Sequence, residues 1–200
     1  MDIELITAIT LGIGLAASAG FRVFVPMLVA SIAAYFGILP AQVSFAWLGS
    51  WPAMICFGSA TIIEIVAYYL PWLDNLLDTV TTPLAVGSGT LLLTSVLPID
   101  NDMVKWATGF IVGGGISGTV QTGTVLTRLG SSATTAGVAN PIIATGEDTA
   151  AVVTSVLSLF IPLIVVSVLL VLTVILLIVF RKKIFRGITN LRRRISKDPM

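Results

Sequence analysis

The stretch Ser18-Ala-Gly-Phe-Arg-Val-Phe-Val-Pro26 sets a guanidinium in the middle of an apolar run that reaches from Leu5 to Phe36. Arginine keeps its proton in a protein, so Arg22 is charged wherever it sits. At bilayer depth such a charge costs about 3 kcal/mol on insertion scales, and it faces a bundle interior or a water-filled cavity. Gly20 permits close backbone approach, and Pro26 lacks an N–H, which frees the carbonyl of Arg22 four residues earlier. The stretch reads as a broken or kinked membrane segment built around one buried cation. Residues 5–36 exceed the ~20 residues of an upright span. They admit two forms, a single long kinked helix or two half-helices meeting near Gly20.

Composition agrees with a membrane setting. Of 200 residues 56% are hydrophobic and only 10% charged, with mean hydropathy +1.03, whereas an ordinary soluble domain has about a quarter of its residues charged. The expected fold is an all-α integral membrane protein of about six transmembrane helices, some broken or re-entrant. Residues 1–180 would form one transmembrane domain and 181–200 a basic tail. Met1-Asp-Ile-Glu4 lacks the basic start of a signal peptide, so the first apolar segment is expected to be retained. Cys56 is alone, and the chain has no histidine. These facts remove an intramolecular disulfide, a cysteine-based metal cluster, the usual catalytic base and the usual zinc or haem ligand. No metal and no cofactor are expected. Only carboxylate or serine chemistry is left for an enzyme, no nucleophile motif is visible, and no enzymatic activity is expected.

Charge is divided sharply. Arg22, Lys105 and Arg128 are the only Lys or Arg before residue 181, against nine carboxylates; eight more bases lie between Arg181 and Lys197. The positive-inside rule puts that end in the cytoplasm and the protein, as a multi-pass chain, in the inner (plasma) membrane. Ile184, Ile188, Leu191 and Ile195 share one face of the tail, the pattern of a basic amphipathic helix on an anionic leaflet. A membrane-flanking basic run explains the tail better than nucleic-acid binding does.

Further along, Leu39 to Ser50 reads as an amphipathic loop, with Phe45, Trp47 and Trp51 suited to a membrane interface. A second span runs from Trp51 to Leu70 and contains Glu64. Pro71 to Asp78, with Asp74 and Asp78 one turn apart, reads as a short solvated helix on the surface. Thr82-Pro83 then opens a third span that closes at Leu97-Pro98. Trp106 to Thr127 is a small-residue span in which Gly109/Gly113 and Gly114/Gly118 carry the spacing that lets helix backbones touch. The same segment bears a polar stripe of Ser117, Gln121, Thr124 and Arg128. Leu129 to Thr149 is polar, with a helix start at Asn140-Pro141 followed by Glu147-Asp148. Ala150 to Phe180 is apolar, with Pro162 as the kink.

Gly14, Ser18 and Arg22 are spaced four apart, and so are Gly113, Ser117 and Gln121, 99 residues on. Broken segments at matching positions point to an inverted repeat with a midplane site, here halves 1–98 and 105–180. Small residues and prolines are common in membranes, so chance accounts for the match equally well. An unpaired buried charge is far costlier than a paired one, which should bring Arg22 toward Glu64 or Glu147. The candidate ion or substrate pathway is therefore Arg22, Glu64, Gln121, Asn140, Glu147 and Asp148, with Asp74, Asp78, Ser18 and Ser117 as secondary candidates. A static ion pair that fixes helix register is the plainer alternative for Arg22 and Glu64. Favourable acids at a helix start are the plainer alternative for Glu147 and Asp148.

At these residues the chain resembles a bacterial membrane-protein family known as domain of unknown function 4126. The matching pieces are Ala17 to Pro26, Phe45-Ala-Trp-Leu-Gly-Ser-Trp-Pro52, Glu64 with Pro71 to Asp78, Gly137-Val-Ala-Asn-Pro141 and Glu147-Asp148. One departure is Tyr68-Tyr69, where the family pattern carries Asp-Lys. The resemblance implies the membrane class and the key positions, and no activity.

Three functions follow. A small secondary transporter or exchanger of an ion or solute would use Arg22 to bind an anionic group or gate a carboxylate, with Glu64 and Glu147 taking a proton or cation. A scramblase-like lipid-handling protein would set Arg22 against headgroup phosphate. A non-transporting scaffold would form a homo-oligomer through the glycine-rich helix.

Overall fold

The computed structural model describes residues 3–175 and Ile178; of Pro71, Trp72 and residues 74–76 only the backbone is described. The basic tail lies outside the described residues, as does the Asp74 side chain. Among the described residues there are eight α-helices and no strand. Contacts divide the chain into two units, with the boundary between Val165 and Val166.

The first apolar run is two helices. Helix α1 spans Ile3–Ala19 and α2 spans Phe24–Tyr35, with the break at residues 20–23. Contacts fix their directions. Gly12 of α1 packs on Leu93 and Val96, near the end of α4 (Pro71–Val96), whereas Gly20 packs on Ser117 and Val120. Ser88 donates to the Val23 carbonyl. The chain then travels back: Ser31 donates to the Leu48 carbonyl and Gln42 N–H to the Ser95 carbonyl. Both helices thus lie on the Val96 side of the Ser88 level, and α1–α2 is a helical hairpin with Arg22 at its tip. Leu11, Leu15, Ala19, Met27, Ala30 and Leu92 form part of the core between them. Pro26 therefore kinks nothing; it stands in the first turn of α2, where an N–H has no helical acceptor anyway.

A 3₁₀ segment, Val43–Gly49, leads into α3 (Trp51–Tyr68), whose first turn is capped by Ser50. Phe45 is buried in the core, while Trp47 and Trp51 are exposed. Helix α4 corrects the sequence expectation most. The surface helix and the third span are one 26-residue helix with Pro83 inside it. Proline removes one hydrogen bond there without ending the helix, which packed neighbours allow in a membrane segment.

Helix α5 (Asp102–Thr108), a π-helical turn (Gly109–Gly114) and α6 (Gly115–Thr135) run on without interruption. Gly109, Gly113, Gly114 and Gly118 all lie against α4 of the same chain; a Cβ at Gly113 would fall 2.9 Å from that of Leu93. The stripe Ser117, Gln121, Thr124 and Arg128 is buried. A turn with Ala136 and Gly137 at positive φ leads to α7 (Asn140–Phe160), so most of the polar segment 129–149 is helical. Helix α8 (Pro162–Ile175) begins beyond the break at Ile161. Three helical stretches, Trp51–Tyr68, Leu77–Val96 and Asn140–Phe160, are long and apolar enough to cross a membrane.

Candidate functional site

The hairpin tip gathers Arg22, Arg128, Asp78, Glu147 and Asp148. Arg22 is 0% exposed and Arg128 1%. Arg22 Nη1 donates to Glu147 Oε2 at 2.8 Å, Nε to Asp148 Oδ1 at 2.5 Å, and Nη2 to the Ala144 carbonyl at 3.2 Å. Nη1 also reaches the carbonyl of Phe21 at 3.2 Å. The α7 acids are adjacent in sequence, so one helix face presents both to one fork-shaped guanidinium. Arg128 approaches from α6. Its Nε donates to Glu147 Oε1 at 3.2 Å, its Nη2 to Glu147 Oε2, and its Nη1 to Asp78 Oδ1 at 2.5 Å. Glu147 is the bridge: one carboxylate carries two guanidiniums from two parts of the chain.

Tyr68 lies in the same cluster. Both guanidinium carbons sit over its ring, at 4.0 Å for Arg22 and 4.1 Å for Arg128. Its hydroxyl donates to Asp78 Oδ1 at 3.2 Å and lies 2.9 Å from the Thr81 hydroxyl, which accepts from Gln121 Nε2 at 3.0 Å. The aromatic face attracts cations, most strongly where water is excluded. Four helices and the hairpin tip are tied together here by charge-assisted bonds.

Glu64 is placed differently. It does not pair with Arg22. Its Oε1 accepts Val23 N–H at 2.8 Å and its Oε2 accepts Phe24 N–H at 3.0 Å. These are orphan donors at the start of α2, where the helix dipole favours a negative charge. Among the described residues no lysine or arginine forms a salt bridge with it. At 1.5 Å per residue it lies about 20 Å along α3 from Trp51.

The other candidates divide. Glu147, Asp148 and Asp78 are in the cluster, and Gln121 joins it through Thr81. Asp78 is buried and paired, which corrects its reading as a solvated surface acid. Ser18 binds elsewhere, donating to the Ala151 carbonyl beside Ser155. Ser117 donates within its own helix, and Asn140 Nδ2 donates to Ser132. Tyr68 and Arg128 were not among the expected site residues. For Arg128 the pointer was the helical spacing it shares with Gln121, which turns both to one face; for Tyr68 there was only the departure from Asp-Lys.

Among the described residues no group of three or more acid, cysteine or histidine side chains is arranged to hold a metal ion. Comparison with curated proteins and with solved structures returns no match. The family model described as Domain of unknown function (DUF4126) matches residues 9–182, and the chain belongs to that family.

Proposed function

We propose that this is a multi-pass membrane protein of the secondary transporter or exchanger type, in which Glu64 is the carboxylate that exchanges a proton or cation. One observation carries the reading: a buried acid at membrane depth sits on the tip of a re-entrant hairpin, its hydrogen-bond partners among the described residues being two neutral backbone donors, with the Arg22 charge acting on it only through space. Intramembrane ionisable groups mark ion or substrate pathways, and broken segments supply backbone ends at such sites. The Arg22–Glu147–Arg128–Asp78 cluster then acts as the fixed floor against which the hairpin is held.

In this reading α1–α2 enters and leaves on one face, while α3, α4, the α5–α6 run and α7 cross. The six spans expected from sequence become four crossings and one re-entrant pair over residues 3–160. Support for an inverted repeat of 1–98 and 105–180 stops at the residue spacing. The first triplet ends in a break at Arg22, whereas its counterpart at Gln121 stays helical. The basic tail faces the cytoplasm of the inner membrane in this scheme.

The lipid-handling alternative needs Arg22 free for phosphate, but four hydrogen bonds to protein oxygens occupy it. The scaffold alternative rests on the paired glycines Gly109/Gly113 and Gly114/Gly118, and those pack against α4 of the same chain. No enzymatic role is proposed. Reconstituted vesicles should show flux for some member of a broad panel of ions and metabolites, and that flux should collapse in Glu64→Gln. Wild-type and variant rates that coincide across the panel would count against the exchange reading.

A further inference from the structure

The charge taken up at Glu64 can be narrowed to one kind, given that reading. A bound metal cation needs several oxygen ligands directed at one point. Both Glu64 oxygens are already turned to N–H donors, at 2.8 and 3.0 Å, and an N–H pointing at the oxygen opposes a cation approaching it. Arg22 acts on Glu64 through space, and its fixed positive charge also repels a metal cation. The described acids nearest by are committed elsewhere. Glu147 and Asp148 of α7 face Arg22, and Asp78 of α4 faces Arg128 of α6. The remaining ionisable neighbour on α3 is Tyr68, whose hydroxyl is bonded to Asp78. Within α2 the only ionisable side chain is Tyr35, at its far end. A proton needs no cage. It adds to one carboxylate oxygen.

We infer that the ion exchanged at Glu64 is a proton, not a metal cation, and that its uptake releases the α2 N-terminus from α3. The step is a simple protonation. Hydronium from the aqueous side open to the tip gives its proton, an O–H bond forms on one Glu64 oxygen, and water is left. That oxygen becomes a donor and a poor acceptor, so one of Val23 N–H and Phe24 N–H loses its partner. The remaining bond is to a neutral acid and is weaker than one to a carboxylate. The hairpin tip therefore loosens when Glu64 is neutral and tightens when it is charged. In contrast, Arg22 keeps its contacts to α7 in both states, because none of them involves Glu64.

Hydrogen–deuterium exchange of the full-length protein in lipid nanodiscs reads this directly. The reporter is a peptide covering residues 20–26, corrected for intrinsic exchange against amides in the α4–α6 contact. As pH is lowered at fixed ionic strength, wild-type exchange at the tip should rise severalfold. Replacing potassium by sodium at constant pH should leave it unchanged. Glu64→Gln should exchange fast at every pH. Glu64→Asp, which keeps an acid on a shorter stem, should retain the pH response with less protection throughout. A tip that responds to sodium or potassium at constant pH, or not to pH, overturns the inference, as does an unaltered pH response in Glu64→Gln. Flux that is sodium-driven with a silent tip would sink the proton assignment and leave the exchanger reading standing. A pH-responsive tip without any flux would do the reverse.

Discussion

Glu147 meets two guanidiniums, whereas Glu64, on α3, meets two backbone N–H groups. Both are buried acids beside the same break in the chain. The difference decides what each can do. Neutralising Glu147 strips the shared partner from Arg22 and Arg128, which stay charged, and an uncompensated buried charge costs several kcal/mol. Neutralising Glu64 leaves Arg22 with its own two acids on α7 and weakens hydrogen bonds to neutral amides. One acid is an anchor because its partners cannot give up their charge. The other has hydrogen-bond partners that never carried one, which is what suits it to the proposed exchange.

The largest expected effect sharpens the anchor side. Glu147→Gln or Arg128→Met should destabilise the protein by about 3–5 kcal/mol, the cost of breaking a buried pair by removing one partner. Thermal unfolding in detergent checks this. The double variant Arg128→Met/Asp78→Leu should cost less than the sum of its single changes, since it removes both charges of one pair. Equal or greater loss in the double variant would break the account of that pair.

A step smaller, Gly113→Ala should cost about 1–3 kcal/mol by forcing α4 and α6 apart, measured by the same melting curves. It tests whether the floor of the site depends on close helix contact as well as on charge. Smaller again, Tyr68→Phe keeps the ring beside both arginines and removes the hydroxyl bond to Asp78. A loss of about 1 kcal/mol is expected, and a much larger loss would shift weight from the ion pairs to the Tyr68–Thr81–Gln121 chain.

Much of this site could be read from the sequence, for reasons that differ residue by residue. Arg22 stood out because a permanent charge in an apolar run must find acids. Glu64 and Glu147 were the two acids open to it; Glu147 is the one it meets, while Glu64 takes backbone amides that are left free only once the chain breaks. Asp78 was misread because an amphipathic pattern gives two faces without saying which is wet. Asp78 on early α4 turns inward, to Arg128. Pro83 misled in the same region, since a proline that opens a helix and one buried inside it look alike in sequence. The two-helix form of α1–α2 was one of two open forms. Helix length alone cannot choose between them, and what fixes direction is the return contact of Gln42 with Ser95.

The comparison of the two acids is tested most directly by preparing Glu64→Gln and Glu147→Gln side by side, and measuring the melting midpoint and vesicle flux of each. The account predicts that Glu64→Gln melts close to wild type and loses flux, while Glu147→Gln melts far lower. Equal melting losses in the two variants, or full flux in Glu64→Gln, would contradict it.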